Sequence, residues 1–542
     1  MAGQVFHLRV FTPWEYQEAA ARSIVSPLLT TGIPFYLLKL WLGDQTPTSY
    51  ALLTTQRMSA FVWSLLIDFC VYRLCKKMGT KPALPMILVA TSQVTLAYYT
   101  RPFSNSFESI ILCSSLLLYV ELAKEPWNPK FAFGLGALFS LGVFTRITFP
   151  LYALPIGLGF LYQAWKKNGN IVGFVNAVMP LAAGMVLTAG FCAMLDSIYY
   201  DRLSVTVSGQ PFNDIGHAIS TLLDPTAMTN IRVQGHMVLT PLNNLMYNLN
   251  ADNLAKHGIH ARYTHFAVNL PLLYGPLVIN ALLYIPHLYA IVKDDVHSDF
   301  ICVLLGIFIT GLTGLSIMPH QEARFLCPLL VPLVLIYTWK KPRLATSFWI
   351  SWVLFNIATT YIFAVVHQGG IIPVLSLLQH QKSVIHNCHA LDTSDLSCFL
   401  GGNESQQQYN LTTNIIFYKT YMPPRHLLVI NDEHNVNVMD FSSRYDDMLA
   451  TLNQQQGVVL RRHEHNEISF AKTHLPNHYT RTFFVVPSYV PLPKLDNKRY
   501  MLMGSYSPHV SFDDMDSIMQ SDKSPESQTY LNAFLILVDS QN

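Results

Sequence analysis

Between residues 48 and 367 the chain alternates long apolar runs with short polar joints, the pattern of a helical membrane bundle. A spanning helix needs about 17–25 mostly apolar residues. Runs of roughly this kind cover residues 50–75, 83–100, 106–123, 131–144, 147–165, 171–195, 266–292, 299–318, 325–339 and 344–367. The fourth and ninth are short, and cross only where neighbouring helices bury their ends or the bilayer thins. About ten transmembrane helices are therefore expected. Composition agrees: only 13% of the 542 residues are charged, about half the roughly 25% of a soluble domain. The net charge of +2 makes no case for a nucleic-acid partner.

Basic residues set the orientation of such a bundle. Lys76, Lys77 and Lys81 join runs one and two, Lys124 and Lys130 join three and four, and Lys166 and Lys167 join five and six. Lys293 follows run seven, and Lys340, Lys341 and Arg343 join nine and ten. All five connections fall on one side, expected to be cytosolic. The opposite side then holds Arg101, Arg146, the long loop 196–265, the stretch 316–324 and a more polar domain over 368–542. That domain carries the sequons Asn403-Glu-Ser and Asn410-Leu-Thr, candidate glycosylation sites on a luminal face. Cys388 and Cys398 are positioned to pair there in an oxidising compartment. The six other cysteines lie in or beside apolar runs and read as buried small residues. Strand-like runs at 414–421, 426–431, 457–460, 481–488 and 533–539, with a helical stretch at 443–453, predict a small α/β domain.

The N-terminal 49 residues break the parity. Residues 23–43 are apolar but interrupted by Pro27, Pro34 and Lys39, and are read as an interfacial helix of a luminal segment.

Charged groups at membrane depth mark functional sites by default. Three sets face the luminal side: Arg101 with Glu108, Arg146, and "SIMPHQEARFLCPLL" (Ser316–Leu330) with His320, Glu322 and Arg324. Several arginines on one side of a bundle suit an anion, most simply a phosphate. The competing readings are structural: an Arg101–Glu108 ion pair, Arg101 or Arg146 reaching the headgroups, and a Glu322–Arg324 pair with His320 packed on it. His257, His260 and His265 lack an organised carboxylate or cysteine and read as an ordinary loop. "DMD" at 514–516 reads as a solvated loop, so no metal is expected.

The stretch "PHQEARFLCPLLVPLVL" resembles the His-Lys/Gln-Glu-x-Arg-Phe signature of the endoplasmic-reticulum mannosyltransferases that use dolichyl-phosphate mannose, the family 22 glycosyltransferases. Gln321 and the continuation "LVPLVL" look most like the branch that adds the fourth mannose of the glycosylphosphatidylinositol (GPI) anchor. "YYTRPFSN" (98–105), the stretch from Leu239 to Asn269, "HQGGIIP" (367–373) and "YMPPRHLL" (421–428) match further, so the resemblance runs from about residue 12 to 430. It implies a C-type glycosyltransferase (GT-C) fold and an inverting, metal-independent transfer of mannose from dolichyl-phosphate mannose, with no cofactor. The product would be an α-1,2 bond to the third mannose of the GPI glycolipid, formed in the lumen. In the donor phosphate site of such an enzyme, Arg324 and His320 are expected to hold the phosphate and Glu322 to orient Arg324, with Arg101 a second candidate and Arg146 a weaker one. The family's base is the aspartate of a His-Pro-Asp-Glu motif that this chain does not contain, and nothing marks Glu15 or Glu18 as its substitute. On that pattern the chain is expected to be an N-terminally shortened form, inactive or nearly so as written. The alternatives are a related transferase acting on another GPI or asparagine-glycan mannose, and a non-catalytic membrane scaffold or lipid carrier.

Overall fold

The computed structural model describes the chain except residues 124–126, 208–209, 212–230, 251–252, 254–259, 293–294, 342, 381–409, 432–434, 455–477, 496–497, 513–531 and 541–542. Lys124, Lys293, His257, Cys388, Cys398, Asn403, residues 457–460 and residues 514–516 thus lie outside the described residues. The chain forms two compact units, Thr12–Pro34 with Gln56–Ala358, and Met1–Phe11 with Phe35–Thr55 and Thr359–Asn542.

Every expected apolar run is helical, but not every helix is a straight span. Among the described residues six helices are long and apolar enough to cross a membrane, or seven if one bent pair counts as a single span. Five of the six coincide with expected runs, and three of the departures from the expected ten have identifiable causes. The run at 83–100 divides into the helix Ala83–Thr91 and a π-helical turn Val94–Tyr99. At that break Gln93 N–H donates to Asn356 Oδ1 (2.6 Å), and its side chain donates to the carbonyls of Leu272 (2.6 Å) and Leu273 (3.1 Å). Interrupted backbone survives in an apolar interior when side chains satisfy it in this way. The run at 266–292 bends by 111° between His265–Tyr274 and Pro276–Ala290. Gly275 makes the bend at φ +44°, and a Cβ there would strike the Phe355 ring. The fourth run, Pro129–Thr145, is short as expected. It packs on Ile171–Tyr199 through Gly136 and Gly184, where a Cβ on either would collide with backbone of the facing helix. The stretch expected to lie in the interface is a helix, Val25–Leu42, of 18 residues and long enough to cross.

The basic joints gather at one end of the bundle. Lys77 pairs with Glu121, Lys167 Nζ donates to the Leu122 carbonyl (3.0 Å), and Lys340 pairs with Asp295 (2.8 Å). Of the six cysteines in this region, Cys302 alone is exposed.

The ninth run opens with a 3-10 helix, Ala323–Leu329, before the α-helix Leu330–Thr338. Pro328 lacks an N–H, so the Phe325 carbonyl three residues before it needs a partner from elsewhere, while the Cys327 carbonyl accepts from Leu330 N–H. Three buried tyrosines from three other segments donate to successive carbonyls of the turn. Tyr152 donates to the Phe325 carbonyl (2.7 Å), Tyr274 to that of Leu326 (2.6 Å), and Tyr99 to that of Cys327 (2.7 Å). These bonds fix the turn that begins just after Glu322. Tyr274→Phe strips the bond from a buried carbonyl, and is expected to cost about 1–3 kcal/mol of stability, read as a lower melting temperature of the purified protein.

In the other unit five strands form a mixed sheet in the order β5-β4-β6-β8-β7. These are β4 Asn410–Phe417, β5 Val436–Asp440, β6 His478–Pro487, β7 Lys498–Tyr506 and β8 Ala533–Ser540; three shorter strands (β1 Leu203–Val207, β2 Gln210–Pro211, β3 Ile231–Gly235) belong to the bundle unit. β4 runs parallel to both β5 and β6, and β8 is antiparallel to β6 and β7. Side chains alternate between faces as strand geometry requires. Ile415, Phe417, Phe483, Val485 and Leu535 pack with the helix Ile371–His380, while Ile416, Phe484, Ile536 and Val538 pack with the helix Tyr445–Gln454. The expected helix and three of the expected strands are present. Residues 426–431 are not a strand: Arg425–Leu428 is a 3-10 turn following Pro423-Pro424, and its apolar side chains enter the core beneath the sheet. β5 and β7 were not expected. Asn410 heads β4. A multi-pass helical membrane protein with a small C-terminal α/β domain is the architecture expected of the GT-C class.

Candidate active site

A cavity of about 320 Å³ opens in the bundle unit, at the end away from the basic joints. One of its walls comes from the ends of three apolar segments. Arg146 and Thr148 follow the helix Pro129–Thr145, and Leu315 and Met318 end the helix Ser298–Ile317. His320, Glu322, Arg324 and Phe325 complete that wall at the tyrosine-held turn.

Glu322 joins the two cationic candidates. Its Oε2 pairs with Arg324 Nε, and its Oε1 meets His320 Nε2 at 2.9 Å. The Arg324 guanidinium also lies over the Phe103 ring, 5.8 Å from its centroid. The structural ion pair anticipated as a competing reading is therefore present, and it faces a cavity. Burial pushes the Glu322 carboxyl up, but the His320 hydrogen bond and the Arg324 guanidinium outweigh it and bring it to about 2 from an ordinary 4.5. The folded value lies below the unfolded one. The stabilisation is thus fully present above about pH 4.5 and is lost as pH falls towards 2. The melting-temperature gap between the protein and Glu322→Gln is expected to shrink as pH falls from about 4.5 towards 2.

Arg146 is nearly buried, and its Nε sits 3.3 Å from Oε2 of the fully buried Glu108. It also donates to Ser104 Oγ (3.0 Å) and Thr148 Oγ1 (3.3 Å) and stacks over Phe325, 4.9 Å from the centroid. Thr148 donates in turn to Glu108 Oε1 (3.0 Å). Glu108 is thus met by Arg146, a partner that spacing along the chain did not indicate. Arg101 is placed differently from the other candidates. It follows the π-helical turn, with its N–H on the Tyr98 carbonyl (3.0 Å), and it does not line the cavity.

The facing wall holds residues that sequence reasoning left unassigned. Trp14, Glu15 and Arg22 come from the segment before Val25, and Asn244, Tyr247 and Asn248 from the helix Thr240–Leu249. Glu15 Oε1 pairs with Arg22 Nε at 3.0 Å, whereas Glu18 is exposed and outside the lining. Three arginines around the cavity therefore each have a glutamate partner.

Gln321 does not face the cavity. It is almost fully buried and ties two loops together. Its Nε2 donates to the carbonyls of Ser316 (2.9 Å) and Met318 (3.0 Å), and its Oε1 accepts from His265 N–H (2.8 Å). His260 Nδ1 accepts from Gln321 N–H (3.2 Å), and Asn269 Nδ2 meets His265 Nδ1 (3.1 Å). His260 and His265 thus have a framework role in shaping the motif loop. Gln321→Ala is expected to speed hydrogen exchange at the His265 amide, measured by mass spectrometry on peptides covering 260–269.

The model of the Alg9-like mannosyltransferase family matches residues 1–426. The chain is 33% identical to the GPI alpha-1,2-mannosyltransferase 4 of Homo sapiens over 456 residues, 79% of this chain and 70% of that protein. It is 29% identical to the GPI mannosyltransferase 4 of Saccharomyces cerevisiae (85% and 77%) and 26% identical to that of Candida glabrata (94% and 88%). The motif loop, the helices that carry it and the wall opposite lie inside the matched range, and the chain belongs to the Alg9-like mannosyltransferase family.

Proposed function

We propose that the chain transfers a mannosyl group from dolichyl-phosphate mannose to the third mannose of a GPI-anchor precursor. The transfer forms an α-1,2 bond with inversion, needs no metal, and takes place at the luminal face of the endoplasmic-reticulum membrane. The observation that carries this reading is the convergence of Arg324, Glu322, His320 and Arg146 on one cavity. The relatives named above support the choice of acceptor.

The leaving group of this donor is already a phosphate. It needs positive charge and hydrogen bonds as the glycosidic bond breaks, not an acid. Arg324 and His320 supply these from one side and Arg146 from deeper in the cavity, the place first given to Arg101. Glu322 holds Arg324 and His320 in register, so little reorganisation accompanies charge development. The aspartate expected to take the acceptor hydroxyl's proton is not among these residues, so the gene encoding the chain is to be expressed, with and without a His-Pro-Asp-Glu segment restored ahead of it, in cells that lack fourth-mannose transfer. Conversion of the accumulated three-mannose GPI precursors to four-mannose forms supports the reading. Unchanged precursors, with repair of an asparagine-glycan intermediate in a matching strain, would refute it.

A further inference from the structure

The two walls of the cavity differ in chemistry. The motif wall concentrates cationic groups, as an anion requires. The facing wall carries two aromatic rings, two carboxamides and a carboxylate whose charge Arg22 already balances. Trp14 and Tyr247 stack with ring centroids 4.0 Å apart and planes 30° from parallel. Asn244, Tyr247 and Asn248 follow i, i+3, i+4 spacing and so share one helix face. Asn248 Nδ2 donates to both the carbonyl (2.8 Å) and Oδ1 (2.9 Å) of Asn244, which fixes the amide pair.

This wall is built rather than incidental. Ala21 and Arg22 N–H both donate to the Glu15 carbonyl (2.9 and 3.1 Å), closing the loop 15–22 on itself. Tyr200 Oη donates to the Arg22 carbonyl (2.6 Å), and Asn243 Nδ2 donates to that of Ala20 (3.2 Å). Ser23 Oγ, Ile24 N–H and Thr240 Oγ1 all donate to the buried carboxyl group of Asp196 (2.9, 2.9 and 2.6 Å). One carboxyl group thus joins the N-terminal segment and the helix Thr240–Leu249, setting the spacing of the two halves of the wall.

Paired aromatic rings with convergent amide and carboxylate groups suit a neutral, polyhydroxylated ring. The C–H face of a sugar lies against the aromatics, and amides both donate to and accept from adjacent hydroxyls. We propose that Trp14, Glu15, Tyr247, Asn244 and Asn248 form the subsite for the acceptor sugar, and that they determine which mannose is extended. This rests on the transferase reading above. It assigns the motif wall to the phosphate of the donor and this wall to the neutral hexose that receives the mannosyl group.

The test is steady-state kinetics on the purified full chain, with synthetic dolichyl-phosphate mannose and a trimannosyl GPI glycolipid varied separately. Trp14→Ala and Asn248→Ala are expected to raise the acceptor KM at least about tenfold, a loss of about 1.4 kcal/mol, with the donor KM within twofold. Trp14→Phe is expected to recover most of the loss. Asn248→Ala leaves the aromatic stack in place and decides the matter if Trp14→Ala does not fold. An unchanged acceptor KM, or an equal rise in both constants, would overturn the assignment. If the unsubstituted chain extends a different mannosyl acceptor, the substrate reading falls. The same variants assayed on that acceptor then judge the subsite independently.

Discussion

Arg324→Ala is expected to lower turnover by about 10²–10³-fold, the effect of removing one preorganised donor from a developing oxyanion. Arg324 is the less buried of the two arginines on the motif wall, held by Glu322 and by the Phe103 ring. Its loss removes a planar fork that matches a phosphate. Arg324→Lys keeps the charge but not the fork, and is expected to recover only part of the activity. Glu322→Gln is expected to impair both turnover and donor KM, because it releases Arg324 and His320 together. The measurement is initial-rate kinetics with varied donor, alongside a melting curve. Arg324→Ala turning over within threefold of the parent, with normal folding, would remove the phosphate assignment.

Glu108→Ala is expected to destabilise the protein by about 3–5 kcal/mol, because it leaves the Arg146 guanidinium buried without its carboxylate. A double change, Glu108→Leu with Arg146→Met, removes both charges and keeps apolar volume. It is expected to regain much of that stability while activity stays low, since Arg146 lines the cavity. Thermal unfolding in detergent gives the first quantity and a transfer assay the second. If the double variant is both stable and active, Arg146 serves only to neutralise Glu108. If the single change melts like the parent, the buried pair does not carry the expected weight.

Much of this was legible in the chain because the governing forces act locally. Apolar runs of about twenty residues and the lysines between them locate the helices and the basic end of the bundle. The motif around Glu322 is short, so its two partners two residues away on either side could be assigned before the fold was known. What escaped depends on distant pairings. Glu108 lies in one helix and Arg146 just past the end of another, and no pattern along the chain distinguishes Arg101 from Arg146 as the partner. The second wall joins Trp14 to Tyr247 across more than two hundred residues, through Asp196, which looks unremarkable in a run of apolar residues. Breaks at Ser92 and Gly275 depend on side chains such as Asn356 and Phe355 that meet them from other helices. In the α/β domain the two missed strands, β5 and β7, are the edges of the sheet. β5 is only five residues long and alternates apolar with polar groups, whereas β6 and β8 carry continuous apolar runs.

The most direct measurement of the central claim is product analysis after incubating membranes that contain the full chain with dolichyl-phosphate mannose, radiolabelled in the sugar, and a trimannosyl GPI acceptor. The account predicts a labelled four-mannose glycolipid whose label is released by an α-1,2-specific mannosidase and whose formation disappears in Arg324→Ala membranes. Label entering an asparagine-type oligosaccharide instead, or a four-mannose product formed equally by the Arg324→Ala variant, would contradict it.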